Sequence, residues 1–284
     1  MNRKANMIIA KIALVVIVIV LWYSLDNITG NVVKETPDKD PYPSRNVKAL
    51  TIANWNLEIY GTAKAAKEEL LQGYADIIDD FDIMFVQEIR DKNGSAFQAL
   101  CDHLPQYRCK LSSRAGRSSS KEQYGVLYRS ISLETGKEIS VVNWEDYNPD
   151  KQDRWERPPV TVTFDVEGYK FTVYNMHVKP AVVQQELAAL EQSIPKHGNI
   201  IIIGDLNADC SYYNPQQEKE FDTWHWILGD ADTSVGQQSC AYDRIILNDD
   251  ALEEFGKKGV VSEGITEEHS DHYVVWVGIE PQEK

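Results

Sequence analysis

The chain has 284 residues, of which 43% are hydrophobic and 26% are charged, with 16 Gly and 11 Pro. This is the composition of a globular protein, and it excludes a collagen, a coiled coil and a fully disordered chain. The net charge of −15, from 44 acidic and 29 basic residues, argues against a nucleic-acid partner if whole-chain charge decides, because phosphates bind basic surfaces. An anionic substrate would have to meet a local basic patch or bound cations.

The first element in the chain is an apolar run of 18 residues, 8–25, whose one charged residue is Lys11. A helix of this length spans about 27 Å, close to the thickness of the hydrocarbon core of a bilayer. Arg3 and Lys4 precede the run, which favours a cytoplasmic N-terminus. We therefore predict an uncleaved signal anchor, one transmembrane helix within residues 1–25, that leaves the rest of the chain membrane-anchored outside the cytoplasm. A cleaved signal peptide, which would make the protein secreted, and a buried core helix are the alternatives.

Residues 26–46 are polar and contain three prolines in 37–43, which predicts a linker. Residues 47–284 alternate between short apolar runs and two stretches of helical periodicity, so we predict one catalytic domain there. The predicted strands are 47–57, 82–87, 124–128, 160–166, 171–177, 199–204, 242–247 and 273–279, and the predicted helices are 63–81 and 181–197. Many short strands with few helices favour an α/β sandwich with mixed sheets over a doubly wound sheet.

Polar side chains occur where six of these strands end. They are Asn56, Glu88, His177, Asp205 with Asn207, Asp243, and Asp271 with His272. Carboxylates with an asparagine carbonyl and no clustered thiolates suit a hard cation such as Mg²⁺ or Mn²⁺. Two histidines beside such a site suit general acid–base catalysis near neutral pH. Together these residues indicate metal-assisted phosphoester hydrolysis.

At these positions the sequence resembles the endonuclease/exonuclease/phosphatase superfamily. The matching strings are W-N-L (55–57), Q-E-I-R (87–90), N-M-H (175–177), G-D-L-N-A-D-C-S-Y (204–212), C-A-Y-D-R-I (240–245) and S-D-H-Y (270–273). The longer strings, with R-S-S-S-K-E-Q-Y (117–124), are similar to the deoxyribonuclease I branch. This resemblance implies a four-layer sandwich in which two packed, mixed β-sheets are flanked by helices.

The resemblance also implies roles for the site residues. His272 paired with Asp243 would be the base that activates water, and His177 paired with Glu122 would be the acid for the leaving oxygen. Asp205 and Asn207 would position the phosphate and take part in catalysis. The metal ligands implied are Glu88, Asn56, Asp271 and Asp205.

Further positions carry over from the same branch. Arg90 and Arg157 match DNA-contacting positions, and Arg117 lies in a small basic loop that could also meet the backbone. Asp232 and Asp153 match positions of structural calcium ligands. Among the cysteines, Cys210 and Cys240 match a disulfide of the branch. The remaining two, at positions 101 and 109, could also pair.

The function predicted from these features is divalent-metal-dependent endonuclease activity on DNA with little sequence specificity, leaving 5′-phosphate and 3′-hydroxyl ends. The DNA is expected to be double-stranded, and the protein a monomer that meets the membrane through its N-terminal helix. One alternative is another phosphodiesterase of the superfamily, acting on sphingomyelin or phosphoinositides. A second alternative is a catalytically inactive binding module.

Overall fold

In this computed structural model of the chain, residues 42–43, 49–117, 121–214 and 219–281 are described. The predicted signal anchor (1–25) and all but two residues of the predicted linker (26–46) lie outside the described residues. Within the described ranges, every helix is shorter than the apolar span needed to cross a bilayer.

Two six-stranded sheets form the centre of the described chain. Their strands are β1 (Leu50–Tyr60), β2 (Ile83–Ile89), β3 (Tyr107–Leu111), β4 (Gln123–Arg129), β5 (Ile139–Asp146), β6 (Val160–Val166), β7 (Tyr169–Asn175), β8 (Asn199–Asp205), β9 (His225–Trp226), β10 (Asp243–Leu247), β11 (Phe255–Val261) and β12 (Val274–Ile279). The first sheet has the order β11-β12-β1-β2-β4-β3 and the second β5-β6-β7-β8-β10-β9. Both sheets are mixed, because β1–β2 and β7–β8 pair in parallel while the other neighbours are antiparallel.

The described chain has five helices, and the three longer ones pack on the outer faces of the two sheets. The five helices are α1 (Thr62–Ala65), α2 (Glu68–Ile78), α3 (Ser95–Asp102), α4 (Val183–Ser193) and α5 (Asp249–Leu252), with a 3₁₀ turn at Pro180–Val182. Trp55 and Tyr74 belong to the apolar cluster between the first sheet and α2. Leu187 and Leu190 of α4 pack against Ile202 on the second sheet. Burying each such side chain contributes about 1.5–3 kcal/mol.

A third apolar cluster fills the space between the sheets. The rings of Phe85 and Phe164 meet edge to face at 6.3 Å, and Phe164 stacks on Phe171 at 5.3 Å. Because side chains alternate along a strand, Leu50 and Ile52 of β1 enter this inner layer while Trp55 faces the helices. The predicted sandwich of two mixed sheets flanked by helices is therefore confirmed.

The elements differ from the sequence prediction in three ways. Helices α3 and α5 were not predicted. The predicted helix 63–81 is two helices, because Lys67 adopts an extended backbone (φ −93°, ψ 100°) between α1 and α2. The strands β3, β5, β9 and β11 were not predicted. In β5 and β11 most side chains are exposed or half-buried, so neither strand has the continuous apolar run that identifies buried strands.

Candidate active site at one end of the sheet interface

The inner face of the sandwich changes from apolar to polar at one end of five strands. On β1 the inward positions run Leu50, Ile52 and then Asn54 and Asn56, all buried. The same change occurs at the corresponding ends of the other four strands, at Gln87 (β2), Asn175 (β7), Asp205 (β8) and Asp243 (β10). Since a strand presents every second residue to one face, this end of the inner layer becomes a polar pocket.

Three buried amides join the two sheets beneath this pocket. Nδ2 of Asn175 donates to Oδ1 of Asn54 at 2.8 Å. Gln87 donates to the backbone oxygen of Met176 at 2.9 Å and accepts from the amide of Asp205 at 2.9 Å. None of these three amides is among the site residues predicted from the sequence. The alternation of side chains along a strand could have identified them, because each lies at an inward position of a strand whose end carries a predicted site residue.

His272 and Asp243 form the first histidine–carboxylate pair. Nδ1 of His272 lies 2.7 Å from Oδ2 of Asp243, and both side chains are buried. The amide of His272 donates to Oγ of Ser270, and its carbonyl accepts from the Trp55 indole. Both polar groups of the His272 backbone are therefore hydrogen-bonded. Burial lowers the pKa of His272, but the carboxylates of Asp243 and Asp205 outweigh it and raise the pKa to about 10.

His177 and Glu122 form the second pair. Nδ1 of His177 lies 3.2 Å from Oε2 of Glu122, whose other oxygen is 2.6 Å from Nη1 of Arg157. Burial raises the pKa of Glu122, but His177 and Arg157 outweigh it and lower the pKa to about 2. Burial lowers the pKa of His177, but the Glu122 carboxylate outweighs it and raises the pKa to about 9. Both histidine–carboxylate pairs predicted from the motifs are therefore present.

Asp205 lies between the two histidines. Its Oδ2 is 3.2 Å from Nε2 of His177 and 3.6 Å from Nε2 of His272. Although burial raises the pKa of Asp205, the two imidazoles hold it well below its usual range. The amide of Asn207 donates to Oδ1 of Asp205 at 3.0 Å, and the Asn207 side chain is anchored on the Val178 carbonyl at 3.0 Å.

Glu88 and Asn56 extend the acidic centre toward the surface. Nδ2 of Asn56 donates to Oε1 of Glu88 at 3.4 Å and to Oδ2 of Asp205 at 3.1 Å. The backbones of Glu88 and Asn207 lie in the left-handed region, with φ values of +59° and +49°. Such conformations in residues other than glycine cost about 1–3 kcal/mol each and concentrate at functional sites.

The charge balance of the site suits a divalent cation. Five carboxylates (Glu88, Glu122, Asp205, Asp243 and Asp271) surround the histidines, against the two guanidinium groups of Arg90 and Arg157. Among the described residues, Glu88, Glu122 and His177 offer ligand atoms within 4.8 Å of one another. The carboxylate oxygens suit a hard ion, and His177 would be a ligand only if its imidazole were neutral. Asp271, another of the predicted ligands, has a side chain that is 58% exposed, and its Oδ1 lies 3.6 Å from Nε2 of His272.

The three arginines differ in their surroundings. Arg90 donates to Oε2 of Glu88 at 2.9 Å and keeps 24% of its side chain exposed. Arg157 is more enclosed and donates to the carbonyls of His177 and Val178 as well as pairing with Glu122. Arg117 stands on an exposed loop and pairs with Asp153 at 2.9 Å.

Asp232, one of the two predicted calcium positions, lies two residues before Ser234, whose backbone forms a bridge with His272. Oδ1 of Asp232 accepts from the amide and hydroxyl of Ser234 and from the amide of Cys240. Both cysteine pairs form disulfides, Cys210 with Cys240 and Cys101 with Cys109. The first of these ties the loop after Asp205 to the segment that leads into β10, where Asp243 lies.

Two packed mixed sheets with paired histidines and carboxylates at one end define the class of this protein. The chain belongs to the Endonuclease/Exonuclease/phosphatase family, whose sequence pattern matches residues 53–272.

Particular relatives are deoxyribonucleases. The chain is 30% identical to human Deoxyribonuclease-1 over 264 residues, which cover 81% of this chain and 92% of that protein. It is also 30% identical over 221 residues to mouse Deoxyribonuclease-1-like 2, covering 70% and 77% of the two chains.

Solved structures share the fold at lower identity. An endonuclease/exonuclease/phosphatase family protein from Bacteroides thetaiotaomicron has a TM-score of 0.59 at 19% identity, covering 83% of this chain and 99% of that one. A mannosyl-6-phosphatase from the same species has a TM-score of 0.58 at 20% identity, covering 81% and 98%.

Proposed function

We propose that this protein is a divalent-metal-dependent endonuclease that hydrolyses DNA phosphodiester bonds. The observation that carries the proposal is the pair of buried histidine–carboxylate couples that meet at Asp205. The relationship to Deoxyribonuclease-1 supports DNA as the substrate. Little sequence specificity is expected, because arginines that grip phosphates position the duplex without reading its bases.

Each pair has one chemical role in this proposal. His272, oriented by Asp243, would take a proton from the attacking water in its neutral form, which a cation held beside it would favour by offsetting the carboxylates that raise its pKa. His177, whose pKa of about 9 keeps it protonated at neutral pH, gives a proton to the leaving 3′ oxygen. The products are then a 5′-phosphate and a 3′-hydroxyl.

Glu88, Asn56 and Asp205, with Asp271 at the rim, are the side chains that would hold Mg²⁺ or Mn²⁺. Such an ion supplies positive charge that stabilises the extra negative charge on the reacting phosphate. Asn207 would orient the phosphate, since its amide and side chain are both anchored beside Asp205. Arg90 contacts the DNA beside Glu88, Arg157 keeps Glu122 ionised against His177, and Arg117 meets the backbone from its loop.

A plasmid-nicking assay tests the proposal. The purified full chain in mild detergent should convert supercoiled DNA to open circles with Mg²⁺ or Mn²⁺ and not with EDTA. His177→Asn and His272→Asn should each lower the rate by on the order of 10²–10⁴ with an unchanged circular dichroism spectrum. No nicking by the folded wild-type protein would refute the nuclease. Hydrolysis of sphingomyelin or a phosphoinositide in parallel reactions, without DNA cleavage, would assign a different phosphodiesterase activity.

The proposed location is the outer side of a membrane, with residues 8–25 as the anchor and a monomeric catalytic domain. The apolar run and the two disulfides support it, because disulfides persist in oxidising compartments. Protease added to intact cells should release the catalytic domain if the anchor is retained. Catalytic domain in the culture medium without protease would instead show a cleaved signal.

A further inference from the structure

The end of β1 carries an irregular segment beside the acidic centre. Between Asn56 and Tyr60 strand β1 advances four residues, while its partner β2 advances two, from Gln87 to Ile89. The extra residues form a bulge, and within it Glu58 and Ile59 have φ values of +45° and +52°. Two successive left-handed residues without a glycine are uncommon, and for a β-branched residue this conformation is an outlier.

The backbone of the bulge holds the two predicted ligand side chains. The amide of Glu58 donates to Oδ1 of Asn56 at 3.0 Å. The next amide, of Ile59, donates to Oε2 of Glu88 at 3.0 Å, and Arg90 donates to that same oxygen at 2.9 Å. The bulge therefore explains how Glu88 and Asn56 are oriented. A glycine at position 59 would supply the same amide without the strain, so the isoleucine side chain has a separate explanation.

That side chain points into solvent. Ile59 is 62% exposed, the largest exposed fraction among the large hydrophobic residues that the structure describes as exposed. Its neighbour Glu58 lies 3.5 Å from Lys64. Ile59 thus presents an apolar surface at the rim of the site, next to the carboxylate that Arg90 contacts.

We infer that Ile59 is a substrate-contacting residue that packs on the sugar and base surface of a nucleotide flanking the phosphate at Glu88. The inference rests on the proposed function and deepens it. Phosphates interact with the arginine and the cation site, but the deoxyribose and the base edges that line the minor groove offer apolar surface. Aliphatic side chains at such positions press against or between base steps and grip a duplex without reading its sequence.

The test compares Ile59→Asn and Ile59→Leu with wild type in the full-length protein. Asparagine tolerates the left-handed backbone, so it keeps the bulge and removes the apolar contact, while leucine retains most of that contact. For cleavage of a defined duplex with Mg²⁺, we expect Ile59→Asn to raise KM about five- to tenfold with kcat within about twofold. Ile59→Leu should stay near wild type. Ile131→Asn, at another exposed isoleucine outside the site, is the matched control.

Two further measurements distinguish direct contact of Ile59 with the nucleotide from an indirect effect through Glu88. Binding of the same fluorescent duplex in EDTA, by anisotropy, should weaken by the same factor in Ile59→Asn. Hydrolysis of bis(p-nitrophenyl) phosphate, which lacks sugar and base, should change less than duplex cleavage. Equal KM and equal duplex binding in Ile59→Asn and wild type would overturn the inference. An equal loss of activity on the duplex and on bis(p-nitrophenyl) phosphate would also overturn the inference, because it would mean that Ile59 acts only through Glu88. If wild type nicks no DNA, the proposed function fails, and equal duplex binding by the variant then overturns this inference as well.

Discussion

Asp205 and His177 lie 3.2 Å apart, from Oδ2 of the carboxylate to Nε2 of the imidazole. The same oxygen lies 3.6 Å from Nε2 of His272, so one buried carboxylate contacts both histidines. Each imidazole also pairs through Nδ1 with its own carboxylate, Glu122 or Asp243. With a carboxylate on either side, both rings are fixed in orientation, and the protonation of one depends on the other.

These contacts predict a pH-dependent stability of the metal-free protein. The pKa of His177 is raised to about 9 and that of His272 to about 10, above their unfolded value of about 6.5. A raised folded-state pKa gives stability that is fully present below the unfolded pKa and lost as pH rises through the folded one. Glu122 behaves oppositely, because its pKa is lowered to about 2, so its contribution is present above about 4.5 and lost as pH falls through about 2.

Urea unfolding in EDTA, from about pH 6 to pH 10, checks this expectation. His177→Asn should destabilise the protein most near pH 6, and the difference from wild type should shrink as pH approaches about 10. His225→Asn, which removes an imidazole from an exposed pair with Asp249, is the control. A wild-type-to-His177→Asn difference that is constant with pH would contradict the predicted linkage.

Gly204 should not tolerate alanine. A Cβ atom there would lie 2.1 Å from the backbone oxygen of Met176 and 2.7 Å from Nε2 of Gln87. Because a backbone carbonyl cannot move aside cheaply, we expect Gly204→Ala to cost about 3 kcal/mol or more. Thermal unfolding of the purified variants measures this. Gly198→Ala also replaces a glycine with positive φ but meets no atom within 4 Å, so it should lose markedly less.

Lys64 links the end of β1 to the loop before β12, and both segments carry site residues. Its Nζ donates to the carbonyl of Leu57 at 2.9 Å and to that of His269 at 2.8 Å. The first follows Asn56, and the second comes three residues before His272. We expect Lys64→Met to lower kcat by about tenfold or more while the fold persists, because a displacement of about 1 Å at the catalytic groups is enough for that loss.

Kinetics with a defined duplex measure the effect of Lys64→Met, and Lys64→Arg should restore part of the activity. Lys67→Met, at an exposed lysine on the same segment, is the control. An unchanged kcat in Lys64→Met would remove the positioning role, whereas a lower melting temperature alone would indicate a structural role.

Calcium is expected at Asp232. The residue organises its loop, since its Oδ1 accepts three hydrogen bonds from Ser234 and Cys240. Millimolar Ca²⁺ should raise the melting temperature of wild type and should not raise that of Asp232→Ala. Asp153, paired with Arg117 at the surface, provides the comparison. If Asp153→Ala alone abolishes the rise in melting temperature, calcium binds at Asp153 instead. If Ca²⁺ does not change the melting temperature of wild type, neither residue is a calcium ligand.

The sequence predicted most of the site because its residues lie at strand ends. His177 and Asp205 come at the ends of apolar runs and Asp243 comes just before one, so the limits of each run could be read along the chain. The break between α1 and α2 was not readable, because the apolar positions continue in helical register across Lys67. The edge strands β5 and β11 were missed for a related reason, since a strand with exposed side chains lacks a strong pattern.

Hydrogen bonds between residues far apart along the chain could not be predicted from the sequence, because the fold brings those residues together. Asn54 meets Asn175 across 121 residues, and Trp55 donates to the carbonyl of His272 across 217. Arg157, predicted as a DNA contact, also holds Glu122 and two carbonyls, and no spacing in the sequence shows this.

The sequence by itself determined which residues are available for catalysis and which strands carry them, because residue type and alternation are local properties. It did not determine the effect of the net charge of −15, which by itself argued against a nucleic-acid partner. Only the tertiary structure decided that several of those acids surround two histidines in one pocket, where a divalent cation fits. The reason is physical: charge acts over distances of a few ångströms, and the fold sets those distances.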